Sequence, residues 1–126
     1  MKTVDLTAVA VAPTEYGHWA ALNGPLGLGA FGVNVFEGSP GDQGEIGHDE
    51  TESDQQELFV VISGRARFVV GDESFEAGPG IAVGVSDPAL HRGYEVLEPG
   101  TRVLCVGAQA PEEQPRWGYW IAGGEP

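Results

Sequence analysis

A chain of 126 residues, 41% of them hydrophobic, is long enough for one modest core and too short for two. Its formal charge of −13, from 19 acids against 6 basic side chains, excludes nucleic acid and an anionic membrane surface as partners, because both require a basic face. A single lysine, Lys2, sets lysine-based Schiff chemistry aside, and a single cysteine, Cys105, rules out an internal disulfide.

Residues 1–12 alternate weakly into Ala8-Val9-Ala10-Val11-Ala12, which predicts an edge strand or an arm exchanged in a dimer, stopped by Pro13. No secretory signal is visible there, and no apolar run in the chain approaches the length of a membrane span, so the expected location is cytoplasmic. Residues 14–23, TEYGHWAALN, predict one helical turn with His18-Trp19 as a packing pair. Residues 24–32 are dense in glycine around Pro25 and suit a bending strand better than a helix. Phe31-Gly-Val-Asn-Val-Phe36 alternates as a strand should, and residues 37–47, with Ser39-Pro40-Gly41-Asp42, form a turn-rich loop.

Leu58-Phe59-Val60-Val61-Ile62 is β-branched and aromatic, which predicts a short buried strand closed by Ser63-Gly64. Residues 65–70 form a second strand, and the tight Ser63-Gly64 connection predicts a hairpin between the two. A turn at Gly71-Asp72-Glu73 leads to a short strand over 74–77, stopped by Gly78-Pro79-Gly80. Further strands follow over 81–85, 91–96 and 101–107, separated by the loop 86–90 and the turn Glu98-Pro99-Gly100. Cys105 lies in the last of these, where burial as a small hydrophobe is expected rather than a reactive thiol. Arg116-Trp117-Gly118-Tyr119-Trp120-Ile121 near the end is aromatic and covers the core or lies on a neighbouring subunit. Short, evenly spaced strands with glycine and proline turns mean an all-β sandwich or small barrel.

The chemistry concentrates ahead of Leu58. Residues 42–57 hold seven acids and no lysine or arginine. In an extended segment His48, Glu50 and Glu52 project to one face, and imidazole with carboxylates suits iron, manganese, nickel or zinc. A solvated acidic loop is the competing reading. Glu57 enters a buried strand, where an unpaired carboxylate is costly, so it is expected to meet a cation, a hydrogen-bond network or solvent. Arg92 alternates with His91, so one of them faces in and the other out. Arg65 and Arg67 share a face, expected to be the solvent side, and Tyr94, Phe59 and Phe68 are expected in the core.

The order of strand, Gly-Pro-Gly turn, strand, His-bearing loop and strand resembles a small single-domain cupin over residues 31–107. Glu57-Leu-Phe-Val-Val-Ile-Ser-Gly64 is similar to the end of the first cupin motif, a glutamate and a glycine separated by six residues. The resemblance implies a cupin-type double-stranded β-helix, a jelly-roll barrel, in one domain over 1–126, with an N-terminal arm over 1–30 and an aromatic tail over 108–126. Two registers compete for the family's His-x-His pair: Glu50 and Glu52, or His48 and Glu50 with a longer acidic loop before Glu57. The second is favoured. In the second motif Gly80 opens the pattern, Ser86 and Pro88 stand for its proline and glycine, His91 for its histidine and Glu95 for its terminal asparagine.

The resemblance therefore implies a divalent transition metal (iron, manganese, nickel or zinc) held by His48, Glu50, Glu57 and His91, with Glu57 or Glu50 as an alternative general base. It implies dioxygenase, isomerase, decarboxylase or hydrolase chemistry without choosing among them. It also implies a small-molecule ligand and a homodimer, built by sheet packing or strand exchange. A non-catalytic, metal-free barrel that binds or senses a small ligand is the second reading, and a structural dimer with a vestigial pocket the third.

Overall fold

The computed structural model describes residues 1–14 and 17–110, and for residues 45–48 the backbone alone. Ten strands and one helical turn follow in chain order: β1 (Ala12–Thr14), β2 (Gly17–Ala21), α1 (Asn23–Leu26), β3 (Gly32–Gly38), β4 (Gln43–His48), β5 (Gln55–Ser63), β6 (Ala66–Val70), β7 (Glu73–Ala77), β8 (Ala82–Val85), β9 (Arg92–Val96) and β10 (Thr101–Gln109). They form a six-stranded sheet in the order β1-β2-β3-β10-β5-β8 and a four-stranded sheet in the order β4-β9-β6-β7, all pairs antiparallel. This is the expected all-β jelly roll. Among the described residues no helix is long and apolar enough to cross a membrane.

Strict alternation divides each strand between two faces. Phe59 and Val61 of β5, Val103 and Cys105 of β10, and Phe36 of β3 point to the gap between the sheets. There they meet Ala66, Phe68, Tyr94 and Val96 of the facing sheet. Tyr94 is the hub: its ring lies 5.0 Å from Phe68, 5.6 Å from Phe36 and 5.9 Å from Phe59. Val33 and Val35 point the other way, onto the outer face of the six-stranded sheet. Leu22 completes a second small core there, with Val4, Leu6, Val9 and Val11 packed over it.

That second core accounts for the N-terminal region. The predicted strand over 8–12 is instead an irregular strap across the outer face, and pairing begins only at β1. Pro13 lies inside β1 rather than ending a strand, and β1 is an edge strand, where proline is tolerated. Of the helical turn predicted over 14–23, Gly17–Ala21 is instead β2, whose residues 18–21 pair with β3, while Thr14 ends β1 and Asn23 opens α1. Glu15 and Tyr16 lie outside the described residues. The glycine-dense stretch 24–32 opens with the single turn α1 instead of a bending strand, Pro25 sitting early in the helix where its missing N–H is harmless. The last part of the predicted loop 37–47 is β4, the edge of the four-stranded sheet. The aromatic stretch around Trp117 and Trp120 lies outside the described residues.

The predicted hairpin over Ser63-Gly64 is not one. β5 pairs with β10 and β8, whereas β6 pairs with β7 and β9, so the chain changes sheets at Gly64. Gly64 has φ +75°, and a Cβ there would run into Thr101. The corner is tied by Thr101 Oγ1, which accepts from the Arg65 amide at 3.0 Å and donates to the Glu98 carbonyl at 2.7 Å.

Candidate functional site

The registers of β3, β10, β5 and β8 align the inward positions of the six-stranded sheet in rows. Gly32, Gly107, Glu57 and Val85 form the row nearest one end of the barrel, and Asn34, Cys105, Phe59 and Val83 the next. The first row carries two glycines, and the side chains of Gln55 and Glu57 close in on Gly107. A Cβ on Gly107 would lie 3.0 Å from Gln55 Oε1 and 3.6 Å from Glu57 Cγ. This end opens into a groove of about 530 Å³ lined by Asn23, Phe31, Gly32, Gln55, Gly107 and Gln109. Asn23 fixes its lip by donating to the Leu28 and Phe31 carbonyls at 3.0 and 2.7 Å while accepting from the Val33 amide at 3.0 Å.

Glu57 does point inward from its strand, and it meets a cation. Arg92 Nη1 donates to Glu57 Oε1 at 2.9 Å, with the two side chains 1% and 5% exposed. The guanidinium is held on two further sides, Nε donating to the Leu90 carbonyl at 3.0 Å and Nη2 to the Asp87 carbonyl at 2.8 Å. The other carboxylate oxygen of Glu57 accepts from the thiol of Cys105 at 3.3 Å, and the cysteine is buried as expected. A charge pair this deep is tolerable because each partner is also hydrogen-bonded. Beside it on β3, Asn34 turns inward opposite Cys105, and its Oδ1 is buried without a hydrogen-bond partner among the described residues.

The other candidates lie elsewhere. With Arg92 facing in, His91 is exposed on the outer side of the four-stranded sheet, at a groove of about 230 Å³ with Arg67, Val69, Gly93 and Glu95. Glu50 sits in the loop after β4, where its amide donates to the Pro88 carbonyl at 2.7 Å and its carboxylate accepts from the Ser53 hydroxyl at 2.5 Å. Asp49 accepts from the Thr51 hydroxyl and amide at 2.6 and 3.0 Å, and these hydrogen bonds hold its carboxyl below the usual carboxylate range. His48 ends β4 in register with Arg92, and its side chain lies outside the described residues. Arg65 and Arg67 face solvent and share Glu76.

The structure thus brings Glu57 to Arg92 and Cys105, and does not bring His91 to Glu57. A divalent metal, which the cupin resemblance implies, does not fit the described donors. No three His, Cys, Asp or Glu side chains among them are arranged to hold one. A dication beside Glu57 would also face the buried guanidinium. Sequence reasoning did not single out Asn34, and it left the phase of His91 and Arg92 open while the resemblance put His91 inside with Glu57, where the structure has Arg92. Asn34 carried a usable signal, a lone amide between Val33 and Val35 on the inward phase of the strand.

No protein-family model matches the sequence, and no curated protein matches it. Solved structures do. KdgF from a Halomonas species has a TM-score of 0.65 at 16% identity, over 82% of this chain and 89% of that one. A sugar phosphate isomerase of the cupin superfamily from Silicibacter pomeroyi has a TM-score of 0.65 at 19% identity, over 86% of this chain and 76% of that one. A structure from Acidithiobacillus ferrooxidans, with a TM-score of 0.61 at 20% identity over 74% of this chain, is matched over only 59% of its own length. These likenesses, with the two-sheet topology, give the chain the cupin fold.

Proposed function

We propose that the chain is a cupin-fold barrel that binds a small organic molecule at the open end beside Glu57 and Arg92, without a resident metal. The observation that carries this reading is the buried Arg92–Glu57 pair, which supplies within the protein the positive charge that a metal would otherwise bring to that carboxylate. Gly32 and Gly107, which share a row with Glu57, line the groove of about 530 Å³ that this reading takes as the place of the ligand. The neighbour from Silicibacter pomeroyi is described as a sugar phosphate isomerase, and a small polar molecule is the ligand class this reading takes from it.

Two measurements on untagged, unchelated protein test the reading. Elemental analysis is expected to find no stoichiometric iron, manganese, nickel or zinc, and addition of these ions is expected to leave the melting temperature unchanged. Near-stoichiometric metal that the Glu57→Gln variant loses would sink the metal-free reading. A ligand-observed NMR screen of small polar molecules is expected to give contacts that Gly107→Val, which fills the open end, abolishes. Contacts that survive Gly107→Val would place the ligand elsewhere.

A further inference from the structure

We infer that Asn34 is the hydrogen-bond acceptor of the interior site and that the ligand it receives is an uncharged hydroxylated molecule, a polyol or sugar; this rests on reading the open end as a metal-free ligand site. Three observations converge. First, the Oδ1 of Asn34 is the one buried side-chain polar atom without a partner among the described residues. Such an atom carries the full desolvation cost of an acceptor that meets no donor, and in native structures it calls for an explanation. A ligand O–H or N–H supplies one.

Second, Asn34 lies one inward row deeper than Gly32, which lines the groove. Asn34 is paired in register with Cys105, and the Cys105 thiol donates to the Glu57 carboxylate. Third, among the described residues the charges of Glu57 and Arg92 are paired with each other. An anionic ligand would have to separate that pair or lie in the barrel without a counter-charge, in a chain whose net charge is −13. A cationic ligand meets the same obstacle at the guanidinium. An uncharged molecule avoids both, and a hydroxyl donates to Oδ1 while still accepting from other donors through the same atom.

The inference separates from a purely structural role for Asn34 by its sign on stability. Leucine is close to asparagine in size and removes the unpartnered oxygen. Asn34→Leu is therefore expected to keep or raise the melting temperature while abolishing ligand binding, the opposing changes that a functional polar group gives. The test uses the full chain, with glycerol, erythritol, ribitol and mannitol as neutral probes and glycerate, ribonate and gluconate as their acidic counterparts, read by saturation-transfer NMR and titration calorimetry.

At least one polyol is expected to bind the wild type, its acidic counterpart about tenfold or more weaker, and Asn34→Leu to weaken the polyol by about tenfold or more. Equal or tighter binding of the acid overturns the uncharged class. Unchanged polyol affinity in Asn34→Leu, or a lowered melting temperature, overturns the role given to Asn34. Binding by the acids alone overturns this inference and leaves the ligand-site reading standing. Binding of none of the seven probes, together with an empty result in the wider screen, overturns both.

Discussion

Arg92 and Glu57 meet at 2.9 Å across the gap between the two sheets, the largest fully buried side chain among the described residues against a carboxylate near the start of β5. The pair joins β9 of one sheet to β5 of the other, two residues along each strand from the Tyr94–Phe59 ring contact. Its position also decides which way β9 faces. With Arg92 inside, Tyr94 and Val96 follow it inward, and His91 is sent out.

Removing one partner strands the other. Arg92→Met is expected to cost about 3–5 kcal/mol, because it leaves a carboxylate buried beside the Cys105 thiol. The double variant Glu57→Leu/Arg92→Met is expected to recover most of that loss, since no charge remains to be desolvated. Urea unfolding of the two single variants and the double gives the coupling directly; strictly additive losses would show that the pair does not act as one unit.

Gly64 marks the corner between sheets, and two features make it demanding: its φ of +75° and the approach of Thr101. Gly100 has a similar φ of +69° with open space around it. Gly100→Ala is accordingly expected to cost about 1 kcal/mol from backbone strain alone. Gly64→Ala is expected to cost more, about 3 kcal/mol or above, because Thr101 must also move and its bonds to Arg65 and Glu98 loosen. Equal losses in chemical denaturation would mean that contact with Thr101 carries no cost.

What could be read from the chain and what could not follows from the range of the forces involved. Alternation and β-branching made the strands over 58–62, 65–70 and 101–107 plain, since each side chain there obeys the pleat. Ser63-Gly64 has the composition of a tight turn, yet whether the next strand folds back or crosses to the other sheet depends on residues distant in sequence, here Thr101 and Glu98. His18-Trp19-Ala20-Ala21 has little strand propensity, and pairing with β3 overrides it. The site shows the same division. Glu57 was evident from its place before an apolar run, but the phase of β9 was not, because a shift of one residue exchanges His91 for Arg92 at the interior.

Arg102 offers a separate check on the N-terminal strap. Its Nη1 donates to the carbonyls of Leu6 at 2.8 Å and Val9 at 3.1 Å, while Nε and Nη2 hold Glu37 Oε2 at 2.8 and 2.7 Å. This fastens residues 1–11 over Val33 and Val35. Arg102→Met keeps the apolar stem and removes those bonds, at an expected cost of about 1–3 kcal/mol. Hydrogen exchange is expected to quicken at the amides of Ala8 and Val9, which both bond to the Asp5 carbonyl, and to stay slow in β5 and β10. Uniform quickening would show instead that the strap and the barrel unfold together.

The acid side of the stability curve carries a signature from Glu76. Hydrogen bonding from Arg65 holds its carboxyl below the usual glutamate range; desolvation opposes this, and the charge of Arg65 and the hydrogen bond and charge of Arg67 add to it. A lowered folded-state value means that the folded protein favours the ionised form. The stabilisation is therefore present above the ordinary glutamate pKa of about 4.3 and is lost as pH falls through the lower folded value. Glu76 and both arginines are well exposed, so the effect is small and screened by salt. Urea midpoints of the wild type and Glu76→Gln are expected to differ modestly at about pH 7, with the wild type higher, and to converge once the pH has fallen through the lowered folded value. The gap at neutral pH should narrow as salt is added; one that persists in strong acid would assign the difference to packing of the glutamate stem against β6 rather than to its charge.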